Sequence, residues 1–180
     1  RPLNEIGKYM DNLFSDRIAD VPRSFIREIL KVAIDPEVIS FAGGLPNRNL
    51  FPVAALQAAA NRVFDTAGRE ALQYANSEGL LELREYISAR YRQKQGLDIS
   101  PDRILITNGS QQGLDLLGKT FLNQGDAVII EEPGYLGAIQ AFSIYRVRFQ
   151  PVPVTDQGMT ADRLAAVLAA GTPKLMYMVP

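Results

Sequence analysis

Arg103-Ile104-Leu105-Ile106-Thr107-Asn108-Gly109-Ser110-Gln111-Gln112-Gly113-Leu114 joins a short apolar run to a glycine turn, and then to a helical pattern continued by Leu117 and Phe121. A strand that turns directly into a helix leaves backbone N–H groups unpaired at the positive end of the helix dipole. Here a hydroxyl and two side-chain amides flank those groups, so Asn108 to Gly113 forms a candidate anion cradle. Neither the G-x-G-x-x-G fingerprint nor a Walker loop is present, so the pattern does not specify a nucleotide. The same residues equally suit an ordinary capped βα turn with Ser110 as N-cap.

Downstream of Pro101, β-rich runs at 103–107, 127–131, 145–149 and 174–179 alternate with helical patterns at about 110–123, 135–144 and 160–170. The runs are apolar enough to be covered on both faces, which predicts an α/β fold with a mainly parallel (mixed) sheet flanked by helices. Ligands in such sheets gather at the carboxyl ends of the strands. Upstream, the spacing predicts helices over 24–33, from Pro52 towards Gly68, and over 78–95 with Leu80, Leu83, Tyr86, Ile87 and Tyr91 as its buried stripe. Between the first two lies Ser40-Phe41-Ala42-Gly43-Gly44-Leu45-Pro46-Asn47, through which no helix can run.

The 180 residues are 47% hydrophobic and 22% charged with a formal net charge of -1, the proportions of a globular protein with a packed core. Histidine, cysteine and tryptophan are absent, which excludes Ser-His-Asp and Cys-His catalysis, Cys/His zinc sites and disulfides; no metal site is expected. Scattered charges of both signs give no footprint for nucleic acid. No apolar run approaches the roughly 18 residues needed to span a bilayer, and the first residues lack a secretory leader. No membrane association is expected, and a cytoplasmic location is.

Other residues qualify locally as site candidates. Glu131-Glu132-Pro133-Gly134-Tyr135 puts an aromatic just past a strand end, where it could stack on a flat heterocycle or simply pack under the turn. Glu131 and Glu132 face opposite sides of a strand and make no acid/base pair. Tyr74 occupies the polar loop Leu72-Gln73-Tyr74-Ala75-Asn76-Ser77-Glu78-Gly79. Arg27 is either a solvated helix arginine or, near Gly43-Gly44, a grip for a carboxylate.

Four linked segments then carry a resemblance: Ser40-Phe41-Ala42-Gly43-Gly44-Leu45-Pro46-Asn47 with Leu50-Phe51-Pro52 after it, Leu72-Gln73-Tyr74 with Glu78-Gly79, Thr107-Asn108-Gly109-Ser110-Gln111-Gln112-Gly113-Leu114-Asp115, and Glu131-Glu132-Pro133-Gly134-Tyr135. Together they resemble the class I/II aminotransferases of fold type I, which depend on pyridoxal phosphate, and most of all the branch with 2-aminoadipate and kynurenine aminotransferases. The resemblance implies an N-terminal arm and small-domain segment over 1–46, and the first part of the large pyridoxal-phosphate-binding domain over 47–180. It implies that Gly109, Ser110 and Gln111 hold the cofactor phosphate and that Tyr135 stacks on the pyridine ring. Tyr74 would reach the partner's cofactor in a homodimer, while Gly43, Gly44 and Arg27 would contact the substrate. The implied reaction moves an amino group between an amino acid and a 2-oxoacid.

The resemblance also implies a lysine that carries the cofactor as an imine. None of Lys8, Lys31, Lys94, Lys119 and Lys174 stands in a matching context, and Lys119 is roughly 13 Å along the helix from Ser110. That lysine is expected beyond Pro180, so no catalytic residue is expected within these residues, and the piece alone is expected to be inactive. Alternatives are a lyase or decarboxylase on the same fold, or the ligand-sensing aminotransferase-like domain of a transcription regulator.

Overall fold

The computed structural model describes residues 15–19, 39 and 44–179. In chain order the elements are helices α1 (Asp16–Ala19), α2 (Val53–Ala71), α3 (Leu81–Gln95) and α4 (Ser110–Phe121), strand β1 (Ala127–Glu132), helix α5 (Leu136–Ser143), strand β2 (Arg148–Pro153), helix α6 (Ala161–Leu168) and strand β3 (Leu175–Tyr177). They fall into two compact units, Arg23–Ile106 and Arg1–Pro22 with Thr107–Pro180. The expected helix over 24–33 lies outside the described residues.

In the second of these units three parallel strands stand in the order β2-β1-β3, with Val128 opposite Leu175 and Ile130 opposite Tyr177. The expected α/β class with a parallel sheet is thus observed. Alternation along β1 sends Val128 into a cluster with Leu114, Leu122, Ala138, Ala141 and Phe142, while Ile129 points to the other face; both are fully buried. Covering both faces of a central strand removes its entire apolar run from water, the largest favourable term available to it. α4 and α5 pack against each other over the Val128 face, and α6 packs on β2.

Two expected strands differ from the structure. The expected strand over 145–149 begins later in the structure, since Tyr145 and Arg146 close the end of α5, donating their N–H groups to Phe142 and Ser143 carbonyls at 3.0 and 2.9 Å. The strand instead runs on through Pro151 and Pro153, which an edge strand tolerates because its outer N–H positions need no partner. Residues 104–107 adopt no ladder among the described residues: Pro101–Arg103 forms a 3₁₀ turn and Ile106 donates to the Glu78 carbonyl at 3.0 Å. An apolar β-branched run specifies an extended backbone, whereas pairing requires a neighbouring strand.

In the unit Arg23–Ile106, α2 runs past Gly68 to Ala71 with a kink at Ala67, and Gly96 ends α3 in the left-handed conformation as expected. The stripe of α3 departs from expectation. Leu83 and Tyr86 are 41% and 63% exposed, whereas Arg84 and Ser88 are buried. Those two polar side chains face the 99–101 turn, where Arg84 donates to the Pro101 carbonyl and Ser88 to that of Ile99, while Arg84 also donates to the Gly79 carbonyl just before α3. Among the described residues no helix is long and apolar enough to cross a membrane, and no cluster of three or more His, Cys, Asp or Glu could hold a metal.

Candidate functional site

The glycine turn before α4 is built by its own sequence. Gly109 has φ 82 and ψ 167, a region open essentially only to glycine, so the chain can swing from the extended 104–107 segment into the helix. Gly109, rather than Ser110, is the N-cap, and Ser110 is the first helical residue. Thr107 Oγ1 donates to the Gly109 carbonyl at 3.1 Å, and the Asn108 N–H donates to Gln112 Oε1. These two bonds hold the turn from behind. No side chain caps the helix, so its first-turn N–H groups stay available, beside the exposed Ser110 hydroxyl, for an anion.

A second loop meets the first. β1 ends at Glu132, and Pro133-Gly134 turns the chain into Tyr135, the N-cap of α5. A Cβ at Gly134 would lie 2.6 Å from the Glu131 carbonyl oxygen, so the turn closes this tightly only with glycine. Gln111 Nε2 donates to the Gly137 carbonyl at 3.2 Å, which ties the first turn of α4 to the first turn of α5. The Tyr135 ring, 44% exposed, stacks on Tyr177 at a centroid distance of 6.3 Å and an interplanar angle of 28°. Tyr177 in turn meets the buried Phe142 edge-on at 6.4 Å. A helix terminus with free N–H groups and a half-exposed aromatic ring are therefore tied together at the carboxyl end of β1.

Burial raises the Tyr177 phenol above its ordinary pKa of 10.0, with Tyr135 and Glu131 adding to the rise. Tyr177 thus stays neutral beside Glu131, whose Oε2 accepts the Val179 N–H at 2.9 Å. Glu131 has a structural partner and Glu132 is exposed, in line with two adjacent strand residues that do not work as a pair. Lys119 is exposed and salt-bridged to Asp115 at 3.1 Å, one turn back along α4.

The remaining sequence-derived residues belong to the other unit. Tyr74 is fully exposed, and Gly44 is exposed with φ 56. Arg27 and Gly43 lie outside the described residues. Sequence reasoning placed Gln112 in the turn without its role and passed over Gly137 and Tyr177. The role of Gln112 was legible, since a Gln at the third helical position is the usual reach-back partner at an N-terminus. Gly137 and Tyr177 act through contacts between elements distant in sequence.

Residues 36–178 match the sequence model of the family "Aminotransferase class I and II". The chain belongs to the class I and II aminotransferases. The chain is 42% identical over 160 residues to the 2-aminoadipate transaminase of Thermus thermophilus, an alignment covering 89% of this chain and 39% of that protein. Its fold superposes with a TM-score of 0.86 on the crystal structure of the kynurenine aminotransferase of Pyrococcus horikoshii in complex with PMP, at 36% identity, over 97% of this chain and 44% of the other. It is also 35% identical to an HTH-type transcriptional regulator, YdcR of Escherichia coli, over 86% of this chain and 32% of that protein. The chain spans about two fifths of the length of the curated aminotransferases it matches.

Proposed function

We propose that this chain forms part of the pyridoxal phosphate site of an aminotransferase that moves an amino group between an amino acid and a 2-oxoacid. The observation that supports the reading is the Gln111–Gly137 bond, which ties a helix terminus with free N–H groups to the first turn of the helix that Tyr135 caps. A phosphorylated pyridine needs those two features together: N–H donors for the phosphate and a flat partner for the ring. Ser110, Gln111 and the Gly109 turn would hold the phosphate, and Tyr135 would lie against the pyridine. PMP, which the Pyrococcus enzyme binds, is the aminated form of the same cofactor. When bound, the cofactor supplies an electron sink for chemistry at the amino acid's α-carbon. This chain's residues bind and orient; none of them is assigned the proton transfer.

The finer assignments belong to the same proposal. The similarity to a 2-aminoadipate transaminase supports an amino donor of that type, with Arg27, Gly43 and Gly44 contacting it. The full exposure of Tyr74 supports its reaching the phosphate of a partner subunit in a homodimer. A cytoplasmic location is part of the reading.

The test uses the full-length protein, titrated with pyridoxal phosphate by absorption, and then assayed for ketoacid release from an amino acid with and without a 2-oxoacid acceptor. Acceptor-dependent release is the expected result. Release without an acceptor would indicate a lyase or decarboxylase instead. A second reading, a ligand-sensing regulator domain, is favoured by the similarity to YdcR, and cofactor binding with no turnover but specific DNA binding would select it.

A further inference from the structure

We propose that Gly137 is a positioning residue that fixes the aromatic plate against the anion cradle, an inference that rests on the cofactor reading above. Two independent contacts converge on it. Its carbonyl accepts Gln111 Nε2 from the first turn of α4. Its missing Cβ leaves the space that the Tyr135 ring fills: a Cβ there would stand 2.6 Å from Tyr135 Cε1 and Cζ and 2.7 Å from Oη.

The backbone of Tyr135 cannot yield to such a clash, because its carbonyl accepts the N–H groups of Ala138 and Ile139 at 3.1 and 3.2 Å. Gly137 itself is buried, and its neighbour Ala138 sits in the core cluster with Phe142. The tyrosine ring, half-exposed at its outer side, is the part that can move. Any side chain at 137 would therefore rotate the ring away from its place between Gly137 and Tyr177. One buried glycine thus determines both where the plate lies and how it is tied to the cradle. A cofactor with a phosphate at one end and a ring at the other would sense that spacing; a phosphate alone would not.

The experiment compares Gly137→Ala and Gln111→Met with the unaltered protein, all full-length and freed of cofactor. Affinities for pyridoxal phosphate and for inorganic phosphate are measured side by side, together with the circular dichroism of the bound pyridine ring. Gly137→Ala is expected to weaken pyridoxal phosphate about fivefold to tenfold and change the ring's dichroism, while inorganic phosphate stays within about twofold. Gln111→Met, which lies in the phosphate-binding turn itself, is read by the ring's dichroism alone, which is expected to change in the same sense. Parallel loss of both ligands in Gly137→Ala, or an unchanged dichroism in either variant, would overturn the proposal. Gln111 is exposed and Met preserves its length and backbone N–H, so its dichroism carries the test should Gly137→Ala fail to fold. If the unaltered protein binds no pyridoxal phosphate, the proposed function falls and this inference with it; binding that neither variant disturbs overturns this inference alone.

Discussion

Tyr145 shares its one hydroxyl hydrogen between two acceptors of Asp115, Oδ1 at 3.0 Å and the backbone carbonyl at 3.2 Å, and so clamps the turn after α5 onto the middle of α4. The ring reaches that position by lying across Gly118, where a Cβ would come within 2.5 Å of Cε2. Gln111 joins the same two helices at the amino end of α4. The helix that presents the cradle is thus fixed at two levels, by one bond near its start and another a turn later. Replacing Gly118 by Ala should destabilise this unit by about 1–3 kcal/mol through overpacking, and Tyr145→Phe by about 1 kcal/mol through the lost hydrogen bonds. Denaturant midpoints would measure both.

The same pair gives the stability a pH dependence at each end. Lys119 and then Tyr145 hydrogen-bond the Asp115 carboxylate and hold it below its ordinary value of 3.8, against a smaller opposing effect of burial. A carboxylate with a depressed folded pKa contributes stability that is present above the unfolded value and is lost as pH falls through the folded one. Burial, and then Asp115, raise Tyr145 above 10.0, so its contribution is present below that pH and is lost as pH rises through the folded value. Lys119→Met should flatten the acid limb of a stability profile, and Tyr145→Phe part of the acid limb and the alkaline limb, leaving behind the alkaline part due to Tyr177.

Ser110→Asp separates stability from binding. A carboxylate at the first position of α4 favours the helix dipole and should stabilise the helix by about 0.3–1 kcal/mol. It should also repel a bound phosphate and weaken pyridoxal phosphate by at least about tenfold. Thermal melting and cofactor titration of the full-length variant read the two effects, which are expected to have opposite signs. Unchanged affinity would place the phosphate elsewhere.

Tyr74→Phe should leave stability unaltered, since the side chain is fully exposed, yet weaken the cofactor if its hydroxyl serves a partner's site. Co-expression with Ser110→Asp distinguishes a contact in trans from one in cis. In trans, each mixed dimer regains one intact site, so activity exceeds that of either variant alone. In cis, no site is restored.

Arg84 should matter to stability and not to chemistry. Its guanidinium, buried on α3, holds the Gly79 and Pro101 carbonyls at 3.2 and 3.0 Å. Arg84→Met should cost about 2–3 kcal/mol, because the carbonyls lose charged donors in a site water scarcely reaches. Hydrogen exchange should quicken around residues 79 and 101–104, with the cradle at 108–112 unaffected.

Much of this was legible in the chain itself. The alternation of apolar runs and helical patterns after Pro101 gave the α/β class, because a strand buried on both faces must be apolar throughout, as Val128 and Ile129 are. The run Asn108 to Gln112 announced a glycine turn into a helix, since a backbone at φ 82 and ψ 167 demands glycine and a helix terminus has free N–H groups wherever it forms. Such properties are local, and local sequence suffices for them. Only the tertiary structure decided that Arg84 and Ser88, rather than Leu83 and Tyr86, face inward on α3, that β2 runs on through two prolines at a sheet edge, and that Gly137 meets both Gln111 and Tyr135. Each depends on which surfaces meet in the folded chain, and periodicity fixes the faces of an element without naming what covers them.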